Sequence, residues 1–331
     1  MHPSMHLLVA LVVLGVLTAS AVGQDAPPGS VVARHGKLSV KGNKIVDQRG
    51  EPVVLRGMSF FWSQWGGQYY NADCVKWLRD DFNCTVVRAA MAVGSGGYLQ
   101  NPDVERKKAE TIIQAAIDLG IYVILDWHAH DPEAEAAGKF FAEIAKKYGA
   151  HPNLIYETYN EPIRQDWAKV IKPYHESVIA QIRAHDPDNL IVCGTGFWSQ
   201  AVDAAAADPI TGTNIAYTLH FYAASHKQWL RDRAQAALEK GIAIMVTEWG
   251  TSEASGNGKL DVEETRKWLD FMDQHHLSSC NWSIISKRET SAALAPDAPA
   301  AGGWTAEQLS ASGKLVRDEL RTRNAAAARQ P

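Results

Sequence analysis

The chain has 331 residues, 46% hydrophobic and 21% charged, which suits one large domain or two modest ones. Its formal net charge of −4 gives no electrostatic case for a nucleic-acid or anionic-membrane partner. Eleven Trp stand out, several beside glycines and turns, where an exposed ring can stack on a flat or ring-shaped ligand.

Leu7 to Leu17 form an apolar run too short to span a bilayer, followed by the small residues ASAVG. Residues 1–23 therefore read as a secretory signal peptide with cleavage after Ala21 or Gly23, although MHPSMH lacks the usual Lys or Arg. Residues 24–32, polar and proline-containing, read as a flexible lead-in. Residues 36–51 suggest a β-hairpin with a Lys-Gly-Asn turn.

From residue 50 the chain alternates short apolar runs with amphipathic stretches. The strand candidates are 52–59, 85–91, 121–128, 154–161, 190–196, 215–222, 243–250 and 278–284. Near-continuous apolar runs of this length suit parallel strands covered on both faces. Between them, Ala109, Ile112, Ile113, Ala116 and Ile117 share one helical face, and Gly120 supplies the stop. Val170, Ile171, Tyr174, Val178 and Ile182 form a second stripe, and Thr265, Trp268, Leu269 and Met272 a third. GKLVRDELRTR closes the series as an eighth helix.

Eight strand–helix repeats predict a single-domain (β/α)₈ TIM barrel over 33–322, with the hairpin plugging its bottom and 323–331 as a frayed or disordered tail. A doubly wound open sheet is the alternative, but no Gly-rich fingerprint follows an early strand. Cys74, Cys84, Cys193 and Cys280 match no zinc or redox spacing; Cys193 and Cys280 lie in apolar runs and read as buried free thiols.

In such a barrel the reactive groups collect at the C-terminal strand ends. Those ends carry Arg88; Asp126, Trp127 and His128; Asn160 and Glu161; His220 and Tyr222; Glu248 and Trp249; Asn281 and Trp282. Burying such groups in apolar runs is costly unless they are paired. One glutamate after a strand is ordinarily a helix cap or a surface group. Two glutamates with an Arg, two His and a Tyr at matching ends are not. Two carboxylates across a sugar-sized gap suffice for glycoside hydrolysis, one as proton donor and one as nucleophile. Arg88 would keep Glu248 charged, His220 and Tyr222 would hold it, and His128 and Asn160 would hydrogen-bond the sugar. His128, His130, Asp131 and Glu133 are close enough in sequence to raise a zinc site, but HAHDPEAE reads better as a loop entering a helix.

The motifs RAAM, DWH, NEP, HFY, TEWG and NWS, in this order and spacing, resemble glycoside hydrolase family 5, most closely its secreted endo-β-1,4-glucanases, over about 33–320. The resemblance implies a retaining mechanism with Glu161 as acid/base and Glu248 as nucleophile. It also implies supporting roles for Arg88, His128, Asn160, His220, Tyr222 and Trp282, and sugar contacts from Lys287 and Glu289. Trp62, Trp65 and Trp198 are candidate stacking platforms. Phe61 stands where many relatives carry a histidine, and Ala92 where many carry a tyrosine; both are expected at substrate-contacting edges. The expectation is a secreted monomer acting on β-1,4-linked glucan, without cofactor, metal, nucleic acid or membrane. A β-mannanase or other β-glycanase on the same scaffold is the alternative enzyme, and a non-catalytic carbohydrate-binding barrel the alternative from another class.

Overall fold

The computed structural model describes residues 26–327, so the proposed signal peptide lies outside the described residues. Strands β1 (Ser39–Lys41) and β2 (Lys44–Val46) pair antiparallel around Gly42, whose φ of +60° suits a residue without a side chain. The barrel strands are β3 (Arg56–Phe60), β4 (Val86–Ala92), β5 (Tyr122–His128), β6 (Leu154–Glu157) and β7 (Ile191–Cys193). They continue with β8 (Ile215–Tyr222), β9 (Ile244–Gly250) and β10 (Ser279–Ile284). All eight are parallel and close on one another, β10 returning to β3, with helices outside. This is the (β/α)₈ barrel.

Inward-facing residues change character along each strand. At the N-terminal ends Val86, Tyr122, Ile124, Ile155, Val192, Ala216, Met245 and Cys280 pack into one apolar cluster with Leu38 and Ile45 of the hairpin. The hairpin thus plugs the barrel floor, tied by Val40 N to Asn214 Oδ1 and Asn43 Nδ2 to Leu238 O. Two residues further on, the same faces carry Arg88, Asp126, Glu157, Thr218 and Thr247, all buried. A greasy floor supports a polar layer, and the polar layer supports the cleft.

The termini are more ordered than the sequence suggests. Within the supposed lead-in, Ser30 caps a short helix (Val31–His35), Val32 is buried, and its N–H donates to Gly120 O. The last helix runs Ala311–Ala327, so 323–327 are not a frayed tail. Buried Asn324 donates to the carbonyls of Arg56 and Asn83, and Arg323 pairs with Asp270 and Glu319. The strand expected over 154–161 ends at Glu157. All four cysteines are free and buried.

Candidate active site

Glu161 and Glu248 reach the same point from different elements. Beyond β6 the chain leaves the ladder, but Asn160 N and Glu161 N still donate to Trp127 O and Ala129 O. Those two bonds hold the acidic loop against β5. On the other side a register shift between β8 and β9 pairs Thr218 with Met245 but His220 with Glu248. The extra residue in β9 acts as a bulge, which re-aims a side chain. Thr247 reaches inward to Glu157 at 2.6 Å, and its neighbour Glu248 still faces the cleft. One oxygen of each catalytic candidate and a ring nitrogen of His220 lie within 4.8 Å of one another.

Arg88, fully buried beneath the cleft, organises the site. Its Nε donates to Glu157 at 2.7 Å, Nη1 to Glu248 at 2.9 Å, and Nη2 to Asn160 Oδ1 at 2.7 Å, with Asp126 at 2.9 Å. The bond to Asn160 fixes that amide and leaves its Nδ2 without a partner, although buried at the cleft wall. An orphan donor in such a place is costly unless a ligand meets it. Tyr222 OH donates to Glu248 Oε1 at 2.8 Å.

His220 was expected to hold Glu248; it instead hydrogen-bonds Glu161 through Nδ1 at 2.9 Å and Thr247 through Nε2 at 3.0 Å. Glu248 takes its own hydrogen bonds from Arg88 and Tyr222, which leaves the two His220 nitrogens to Glu161 and Thr247. His130 Nε2 bonds the other Glu161 oxygen at 3.2 Å. Burial alone would lower His220, but Glu248, Glu157 and Glu161 raise it to about 9, so the ring is charged. Burial alone would raise Glu161, yet the bonds from His130 and His220 bring it down to about 2. Burial pushes Glu248 up, the positive His220 opposes this, and the negative Glu161 adds to it. The trio brings two carboxylates and a protonated imidazole together, an arrangement suited to passing protons.

His128 Nδ1 meets Asp126 at 2.5 Å, and its ring stacks on Trp282 with centroids 5.2 Å apart. Burial and the positive charge of Arg88 push His128 well below the ordinary histidine range, leaving a neutral ring with Nε2 available to a ligand. Of the four residues of the zinc alternative, His128 and His130 line the site, whereas Asp131 and Glu133 are exposed in the loop before the next helix.

The cleft measures about 820 Å³. Trp62, Trp65 and Phe61 line one flank with Lys287 and Glu289, which pair at 2.6 Å; Trp198 lines the other. The catalytic, supporting and stacking residues expected from the resemblance all line this cleft except Arg88, which lies below it; of the other strand-end groups, Asp126, Trp127, Trp249 and Asn281 are buried away from it. Ala92 does not reach the edge expected of it: it is fully buried, its N–H donating to Ser63 Oγ. Sequence reasoning missed Glu157, Thr247 and the contact of His130 with Glu161. Glu157 had a signal, a carboxylate on the same strand parity as Ile155 in an apolar run.

Residues 46–288 match the family model described as Cellulase (glycosyl hydrolase family 5). The chain belongs to glycoside hydrolase family 5, and is a cellulase-family enzyme. It is 47% identical to Endoglucanase A of Evansella cellulosilytica, covering 96% of this chain and 67% of that one. It is 45% identical to Endoglucanase N of Pectobacterium atrosepticum, with coverages of 95% and 72%. Among solved family structures, the catalytic domain of a Thermobifida fusca endoglucanase superposes with a TM-score of 0.85 at 35% identity, covering 88% of this chain and 100% of that one. A variant of that domain is known in complex with cellotetraose.

Proposed function

We propose that this family 5 enzyme is a secreted, retaining endo-β-1,4-glucanase. The observation that carries the reading is the pair Glu161 and Glu248, oxygens within 4.8 Å, in a cleft with aromatic groups on both flanks. Retaining enzymes place their carboxyl groups about 5–5.5 Å apart, whereas inverting ones leave room for a water. Aromatic flanks on both sides suit a chain cut in its interior. The apolar run at residues 7–17 supports export.

The donors around each carboxylate assign the roles. Arg88 and Tyr222 stabilise Glu248 as an anion, and neither gives up its proton near neutral pH. Glu161 is bonded instead by His130 and His220, imidazoles that can hand it a proton. In the resting site those histidines keep Glu161 ionised. A sugar entering the cleft expels water from around His130 and Glu161, and a dry ion pair favours its neutral form, so the proton passes to Glu161. Glu248 then attacks the anomeric carbon and forms a glycosyl ester as the glycosidic C–O bond breaks. Glu161 protonates the departing oxygen. In the second half, Glu161 takes a proton from water, whose oxygen displaces Glu248. Asn160 Nδ2 donates to the sugar 2-hydroxyl.

Reducing-sugar release from carboxymethylcellulose, galactomannan and xylan tests the reading. Release from the first, with the β-anomer as first product, supports it. Preference for galactomannan points to a mannanase, and no release from any points to a binding barrel. Full activity in Glu248→Gln would remove the proposed nucleophile.

A further inference from the structure

Three consecutive residues after β7, Phe197, Trp198 and Ser199, all have φ of +55°. Left-handed backbone is disfavoured for each by about 1–2 kcal/mol, and for bulky side chains it is an outlier. The turn persists because it is tied down. Phe197 N donates to Ile163 O, Trp198 N to Pro162 O, and Ser199 Oγ to Asn160 O. It is thereby fastened to the loop that carries Glu161, across the cleft from Trp65 and Lys287.

The strained turn sends two rings into solvent. Phe197 is 59% exposed and Trp198 41% exposed, and both line the cleft. A third ring extends the series. Trp229, 47% exposed, stands in the first turn of the helix Gln228–Glu239. Its ring carries the Arg233 guanidinium 5.5 Å from its centroid, and Arg233 donates to Gln200 O in the same turn. Its edge meets His226, another cleft residue, at 5.9 Å. Held this way, Trp229 has little rotamer freedom to lose on binding. Three exposed aromatics continuous with a cleft mark a binding surface.

We propose that Phe197 and Trp229 extend the cleft beyond Trp198 as a sugar-stacking ridge for distal glucosyl units on the leaving-group side of the cut bond. This rests on the β-glucanase reading. The apolar C–H faces of β-linked glucose rings fit flat aromatic surfaces, and their hydroxyl edges stay solvated. The ridge lies on the leaving-group side because its turn is bonded to the loop that carries Glu161, the group assigned to protonate the departing oxygen.

The test compares Phe197→Asn, Trp229→Ser and the double variant with the parent on nitrophenyl cellobioside and on cellotriose through cellohexaose. Asn tolerates the left-handed backbone, so the turn is kept. The ridge predicts a loss in kcat/KM that grows with chain length, about three- to tenfold per ring on the longest substrates. It also predicts a shift in the bond cleaved in cellopentaose. Losses equal at all lengths, or none, overturn the ridge while leaving the glucanase reading intact. So does a change in sedimentation behaviour without length dependence, which would make the rings a self-association surface. A parent inactive on every glucan overturns the glucanase reading itself.

Discussion

Replacing Tyr222 by Phe removes one oxygen and keeps the ring, so its effect is confined to Glu248. The lost contact is the 2.8 Å bond to Glu248 Oε1, while the bond from Arg88 to Oε2 at 2.9 Å remains. Hydrogen bonds to charged groups contribute about 1.5–3 kcal/mol. The Glu248 side chain is 5% exposed, so bulk water screens little of this. At about 1.4 kcal/mol per pK unit, Glu248 should rise by roughly 1–2 units. Burial already pushes it up, opposed by His220, Arg88 and Tyr222 itself. A nucleophile must be ionised, so a raised value moves the acidic limb of the kcat/KM profile to higher pH. The alkaline limb, which reports the proton donor, should stay. The assay is kcat/KM on nitrophenyl cellobioside from about pH 4 to about pH 9. A uniform fall in rate with an unmoved acidic limb would refute the reasoning, because the titrating nucleophile would then not be Glu248.

Glu161→Ala should slow hydrolysis of cello-oligosaccharides by about 10²–10⁴-fold, and of a nitrophenyl glycoside at least about tenfold less, since that leaving group needs little protonation. Equal slowing in a side-by-side rate comparison would count against Glu161 as the acid. Asp47 beneath the barrel is raised by burial but lowered further by Arg49, two backbone N–H groups and His35, to about 2. Its side chain is fully buried, so Asp47→Asn should cost about 2 kcal/mol at neutral pH. A depressed carboxylate stabilises above its unfolded value, so the deficit in urea midpoint should shrink as pH falls from about 4 to about 2. Burial raises the thiols of Cys74, Cys84, Cys193 and Cys280. A thiol reagent should therefore find none in the native protein and all four after denaturation; a fast-reacting native thiol would contradict the packing.

The barrel and the chemistry at its mouth are written in local pattern. Eight apolar runs, long enough for buried strands and spaced by amphipathic helices, leave few ways to cover every apolar face. The polar residues embedded at their ends are too costly to bury idly, so Arg88, His128, Glu161, His220 and Glu248 were legible as a site. What decided their partners was tertiary. His220 bonds Glu161 while Arg88 and Tyr222 take Glu248, and a bulge in β9 turns Thr247 and Glu248 toward the same space, which strand alternation forbids and no local pattern announces. Glu157 and Asp126 became part of the machinery only when β4, β5 and β6 brought one arginine within reach of both. Asn324 and Ser30 looked like tail and leader until barrel closure supplied the distant carbonyls and the apolar pocket that order them. Periodicity is a local property written in side-chain spacing, whereas register, bulges and shared donors depend on groups separated by scores of residues, and those distances exist only once the barrel has closed.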